Sequence, residues 1–314
     1  MIKKISIIGA GYVGSSIAYS LMLVEAADEI ALIDINDTTV RAEVADIRPG
    51  LVEISPTKVS QGSYADTADS DIVIVTAGVN RKPGETRMDL IGRNSVIAKD
   101  IAVKLKENNA HGLVIVVSNP VDAITQIIAE ELNETTGRVF GTGCLLDSAR
   151  FRSVLGDFLG VAEKSIRAFV AGEHGSNQIL LWSSVTIENQ PLSEWLAAHN
   201  RTLTEADKQT IAQRIADMGA DIIKGKGRTH YGIAGCIAYI INEIKQEHTI
   251  CVPLTRPLNG EFGHTDTALS LPCLLNENGI VRSDTEGFYA SEMKALETVA
   301  DKIKKMCGEL LWKI

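Results

Sequence analysis

No apolar run in the 314 residues approaches the roughly 18 needed to span a bilayer, so a membrane helix is not expected. The chain passes directly into the strand-like Lys4-Ile5-Ser6-Ile7-Ile8, so a leader peptide of the usual pattern is not expected. The 5 cysteines, Cys144, Cys236, Cys251, Cys273 and Cys307, are scattered, odd in number and never spaced Cys-x-x-Cys. A disulfide framework and a zinc site are therefore not suggested, and a cytoplasmic setting is expected. An excess of positive charge is also missing. The net charge of −9 argues against nucleic acid or an anionic membrane as the main partner. Short repeats, low-complexity tracts and a Pro/Ser-rich linker are absent too, although the length is that at which cores usually divide in two. What remains, 45% hydrophobic and 23% charged residues, is ordinary for a soluble globular protein.

The apolar run ending at Ile8 leads into Gly9-Ala10-Gly11-Tyr12-Val13-Gly14, after which Val13, Ile17, Leu21 and Val24 recur along one helical face. In this strand, glycine turn and helix, Gly9 permits the tight turn and Gly11 lets a pyrophosphate approach the backbone. Gly14 lets helix and strand pack closely. The glycine spacing alone is weak evidence. A second strand, Ile30-Ala31-Leu32-Ile33, strengthens it, because it ends in Asp34, 20 residues after Gly14, where a ribose hydroxyl would be held. An acid there repels a 2′-phosphate, so the cofactor expected is NAD rather than NADP. The competing reading makes Asp34 only a helix cap.

Alternation continues with a helix from about 37 to 48 and strands at 57–60, 71–76 and 112–117, the last two separated by a helix from about 90 to 108. This predicts a doubly wound parallel sheet, the Rossmann arrangement, over residues 1–144. Ligands then collect at the carboxyl ends of the strands, at Thr76-Ala77-Gly78 and Ser118-Asn119-Pro120. The polar segment from Gly78 to Arg87, with Arg81, Lys82 and Arg87, reads either as a lid that closes cations over an anionic substrate or as a solvated loop.

Residues 145–314 are expected to form a mixed α+β substrate domain. Helices are expected at 145–159, 205–223, 233–245 and 286–311, and strands at 165–170, 249–254, 268–274 and 279–282. Asp147 and Arg150, three apart, share a helical face that Arg152 does not. In Ala171-Gly172-Glu173-His174-Gly175-Ser176, His174 has the strongest claim to proton transfer, since its unperturbed pKa lies nearest neutrality. A buried carboxylate against one ring nitrogen would fix its tautomer, and Asp147 is the candidate.

Taken in order, Gly9 to Gly14, Asp34, the loop ending in Arg87, Ser118-Asn119-Pro120-Val121-Asp122, Leu146 to Arg152 and Gly172-Glu173-His174-Gly175 resemble the lactate/malate dehydrogenase family over essentially the whole chain. The resemblance implies that His174 is the proton donor and acceptor and Asp147 its orienting carboxylate. It also implies that Arg150 and Asn119 bind substrate and that Arg87 polarises the carbonyl. Where the family has aspartate after His-Gly, this chain has Ser176. Arg81 occupies the position that is arginine in malate enzymes, whereas Glu173 and Thr229 are lactate-type choices. Charge favours malate/oxaloacetate here, because a buried guanidinium without a partner is costly, with lactate/pyruvate the alternative. Arg152, and Arg167 where the relatives carry histidine, match positions that hold a sugar bisphosphate between subunits in some bacterial relatives, ordinary salt bridges with neighbouring acids being the alternative, and a dimer or tetramer is expected. An NAD-dependent glycosidase could share the fold but would need a metal site, for which the sequence offers no convincing Cys/His constellation, and a non-catalytic dinucleotide sensor would not require His174, Asp147, Arg150 and Arg87 together.

Overall fold

The computed structural model of the chain describes residues 2–50, 52–80, 84, 87–175 and 177–311, without the side chains of Arg87 and residues 306–311. Arg81, Lys82 and Ser176 therefore lie outside the described residues, as does the Arg87 side chain.

The first half alternates as expected: β1 (Lys4–Ile8), α1 (Tyr12–Leu23), β2 (Glu29–Ile33), α2 (Asp37–Gly50), β3 (Lys58–Gln61), β4 (Ile72–Val75), α3 (Arg87–Glu107), β5 (Leu113–Val116), α4 (Val121–Glu131) and β6 (Val139–Gly141). Strands β3, β2, β1, β4, β5 and β6 lie side by side in that order, all parallel. The order reverses between β1 and β4, where Ile5 pairs with Ile72 and Ile8 with Val75. Side chains on both faces are covered, which is why these strands read as unbroken apolar runs. Ile5, Ile7, Ile74 and Ile115 face one layer, and Val73, Val75, Val114 and Val116 the other.

The second half contains α5 (Leu145–Leu159), β7 (Ile166–Glu173), β8 (Asn177–Ile187), β9 (Gln190–Pro191), α6 (Leu192–Ala198), α7 (Glu205–Lys226), α8 (Tyr231–Lys245), β10 (Ile250–Pro257), β11 (Ala268–Asn276), β12 (Gly279–Ser283) and α9 (Ala290–Leu311). Three differences from the sequence reading stand out. Helix α7 runs on to Lys226, so the interruption before α8 is only the stretch 227–230. The final helix starts at Ala290 rather than near 286, because Gly287 takes a positive φ of 80°. After His174, where no strand was expected, the chain turns back as β8, antiparallel to β7.

The two halves are joined twice over. Strand β10 pairs with β6 at Thr255 and Gly141, and β11 pairs with β7 at Ser270 and Gly172, so one sheet passes from end to end. Helix α1 also packs on α8, where Ala18, Ala234 and Ala238 keep the contact face small, and one apolar cluster contains Ile5 and Ile30 as well as Ile237, Leu254 and Leu271.

Candidate active site

The glycine turn is built as the motif requires. At Gly9, φ is +108°, and an added Cβ would lie 2.7 Å from the Ala77 amide nitrogen, so the ends of β1 and β4 touch there. At Gly14 a Cβ would lie 1.9 Å from the Gly9 carbonyl oxygen, so only glycine lets α1 start directly beneath the turn. Around Gly11 nothing lies within 4 Å of that position, which leaves a diphosphate free to approach the backbone at the N-terminus of α1. The Asp34 carboxylate sits at the lip of this turn, accepting the Ala10 N–H at 2.8 Å. It does not cap α2: Asn36 does, accepting from Thr38 and Thr39. Residues and spacing thus fit an NAD adenosine diphosphate, with Ala77 and Gly78 on the opposite lip.

Asn94, which the sequence reading missed, organises that lip. Buried in α3, its side-chain oxygen accepts the Val79 N–H at 2.9 Å and its amide donates to the Asn119 carbonyl at 2.7 Å. Ser118 donates to the Ala77 carbonyl at 2.6 Å, so the loops after β4 and β5 form one unit, with Asn119–Pro120 cis. On the other side, the Arg228 guanidinium lies 3.6 Å above the Tyr12 ring and joins the short α7–α8 turn to the glycine turn.

Opposite lies a cavity of about 260 Å³, lined by Asn119, Leu146, Arg150, His174, Gly219, Ile223, Thr229 and Ile233 among others. His174 follows the last residue of β7, and Asp147 and Arg150 come from the first turns of α5. Ser148 sets their spacing: its buried hydroxyl accepts the Val170 N–H at 2.7 Å and pins α5 to β7. Asp147, 3% exposed, then accepts His174 Nδ1–H at 2.6 Å on one oxygen and Arg150 Nη1–H at 3.1 Å on the other. Nε2 is left as the nitrogen that can face a substrate.

Burial works against a charged imidazole at His174, but the hydrogen bond and charge of Asp147, helped by Asp122, more than offset it, and the pKa is raised above 6.5. Asp122 is a second residue the sequence reading quoted without a role. One oxygen accepts the His174 backbone N–H at 3.1 Å and the other the Thr255 hydroxyl at 2.5 Å. Glu173, also buried, accepts from Asn177.

The structure therefore brings Asn119, Arg150, His174 and Thr229 to one cavity, with Asp147 behind His174 and Arg150. Arg152 is held elsewhere, desolvated and near Cys236 and Tyr239 of α8. Arg167 lines a different cavity with Asp284 and Glu286, to which Arg152 does not contribute, and lies 5.0 Å from the Phe169 ring. Among the described residues no three His, Cys, Asp or Glu side chains gather as a metal site would require.

Residues 3–141 match the lactate/malate dehydrogenase NAD binding domain, and residues 144–311 match the alpha/beta C-terminal domain of the same enzymes. The chain is 36% identical over 308 residues to an L-lactate dehydrogenase of Thermoanaerobacter sp. (strain X514), covering 98% of this chain and 99% of the relative. It is 33% identical over 310 residues to the L-lactate dehydrogenase of Acetivibrio thermocellus, covering 99% and 98%. Its fold superposes with a TM-score of 0.93 on the minor L-lactate dehydrogenase of Enterococcus mundtii, at 31% identity over 98% of both chains. With a glycine turn shaped for the NAD diphosphate and a histidine–aspartate pair beside an arginine in the facing cavity, the chain belongs to the lactate/malate dehydrogenase family and is an NAD-dependent 2-hydroxy acid dehydrogenase.

Proposed function

We propose that the protein is an L-lactate dehydrogenase that interconverts pyruvate and lactate. One observation carries this reading: beside Arg150 the described wall of the substrate cavity is apolar, with Leu146, Ile223 and Ile233 facing it. The Arg150 guanidinium answers the substrate carboxylate, and its planar fork suits two-pronged pairing. The remaining wall near Thr229 is formed by Gly219, Ile223 and Ile233, which suits a methyl group better than a second carboxylate. The names of the relatives point the same way.

Arg150 receives the substrate carboxylate and Asn119 hydrogen-bonds near the ketone. When bound, NADH supplies the hydride that reaches the keto carbon. His174 donates its Nε2 proton to the ketone oxygen, where negative charge develops, and Asp147 stabilises the imidazole in its charged form and correct tautomer. Arg87, at the start of α3, is assigned the polarisation of the carbonyl. Arg152 and Arg167 have no part in this reading.

A malate/oxaloacetate reading stands second, on the presence of Arg81 in the loop before α3. Paired with a second carboxylate in a desolvated pocket, Arg81 would add roughly 1.5–3 kcal/mol, or tenfold to a few hundredfold in kcat/KM. In the lactate reading it stays in water. Following NADH absorbance with each keto acid separates the two. Pyruvate should be preferred by at least about tenfold, with Arg81→Gln leaving the ratio unchanged. Faster turnover of oxaloacetate, reversed by Arg81→Gln, would replace lactate by malate.

A further inference from the structure

Three buried carboxylates surround His174, and each is held by different partners. Asp147 holds the imidazole and Arg150; Glu173 holds Asn177. The third, Asp122, projects from the first turn of α4, three residues after Asn119, and is 3% exposed. It touches neither cavity nor cofactor turn, yet it ties three elements together: α4, His174 just after β7, and Thr255 of β10. The titratable groups facing it are Glu173 at the end of β7, His174 just after it and Cys144 before α5, and β10 contributes the Thr255 hydroxyl. Among the described residues, no lysine or arginine is hydrogen-bonded to it. An isolated buried carboxylate is expensive, so a merely structural role would be served as well by asparagine, which has the same shape and can both accept and donate.

We propose that Asp122 is a positioning residue for proton transfer, anchoring the His174 main chain through its N–H and supplying, with Asp147, a second negative charge that favours the imidazolium. It rests on the reading of His174 as the proton donor. Burial, only partly countered by the Thr255 hydroxyl and the charge of His174, pushes Asp122 up to about 6. Around neutral pH the carboxylate is therefore mostly charged, and below about 6 it is lost as an anionic neighbour. The same residue couples the loop carrying Asn119 to the histidine, so that substrate contact and acid move as one piece.

Nuclear magnetic resonance titration of the His174 ring in the NAD-bound full-length protein, together with the pH dependence of pyruvate reduction, tests the assignment. Asp122→Asn keeps the shape and an acceptor but removes the charge. The His174 midpoint should fall, the alkaline limb of reduction should move to lower pH, and kcat above neutrality should drop about tenfold while KM for pyruvate changes less than about twofold. Asp122→Ala, which also strands the His174 N–H, should lose roughly a further tenfold in kcat. If Asp122→Asn does not fold, Thr255→Val replaces it: the carboxylate stays but its charged form loses a donor, and the midpoint should fall by less. An Asp122→Asn protein, or failing that a Thr255→Val protein, whose His174 midpoint and alkaline limb match the wild type would overturn the proposal, even if its melting temperature were lower. A wild type inactive on every 2-keto acid would instead sink the reading of His174 as the acid, and the ring titration would still decide whether Asp122 acts on it.

Discussion

The His174 imidazole answers to opposing influences. Burial favours the neutral ring, and the anions of Asp147 and Asp122 favour the charged one. Because the anions prevail, the ring keeps its proton to higher pH than a free histidine. Ketone reduction, which consumes that proton, should be fastest below the raised pKa and fall as pH rises through it. Oxidation of the hydroxy acid, which needs the neutral ring, should rise across the same window. His174→Asn should cut ketone reduction by at least about a hundredfold with NADH binding retained, whereas Asp147→Asn should cost about tenfold and bring the fall to lower pH. Rates near wild type for His174→Asn, measured with NADH binding intact, would remove the histidine from the mechanism. His174, Asp147 and Arg150 were legible in the sequence, since a histidine in a glycine-flanked turn and an acid–arginine pair three apart on a helix carry their chemistry locally. Asp122 and Asn94 were not. Their meaning lies in Thr255 and Asn119, 133 and 25 residues away along the chain, and a one-dimensional pattern does not encode which buried acid meets which amide.

Among the elements, the parallel strands and amphipathic helices declared themselves through period and length, while β8 did not. Its 11 residues are mostly half-buried, so neither a strict alternation nor a continuous apolar run marks it, and Gly172, with φ of +94°, and Gly175 before it imitate a chain break. Strand β6, with 3 residues, is too short to show any period. Helix α3 shows what an element adds that its residues do not. Asn94 is a poor helix former in mid-helix, but only a helix fixed against the sheet can hold its amide between the loops after β4 and β5. Asn94→Ala would leave the Val79 N–H and the Asn119 carbonyl without this partner, each at about 1–3 kcal/mol if water does not enter. Urea denaturation should therefore show a loss of roughly 2–6 kcal/mol, and KM should rise for NADH and for the keto acid together, because one side chain shapes both binding lips. A stability loss with both KM values unchanged would reduce Asn94 to a structural role.

At the scale of the molecule, the regular alternation of residues 1–144 and the irregular succession after it suggest two pieces, and the division near residue 144 is a proposal about function: one side is shaped for the cofactor, the other for the substrate. Energetically the pieces are not separate. The apolar cluster that fills the first half also contains Ile237, Leu254 and Leu271 from the second, and the sheet passes through both. Cutting the chain after residue 144 would uncover the α1 face that meets α8, and a fragment of that length should expose apolar surface and aggregate. For the intact chain, a shared core implies shared cooperativity: neither half can melt while the other keeps its packing. Scanning calorimetry should then record one transition with an enthalpy of roughly 200 kcal/mol, from about 0.7 kcal/mol per residue, and a van't Hoff value that agrees with it per cooperative unit. Two resolved transitions, each near half that enthalpy, would mean that the halves hold themselves up independently. Joined as they are, the cofactor half cannot loosen without the substrate half, so bound NAD should protect residues on both sides of the junction from thermal unfolding alike.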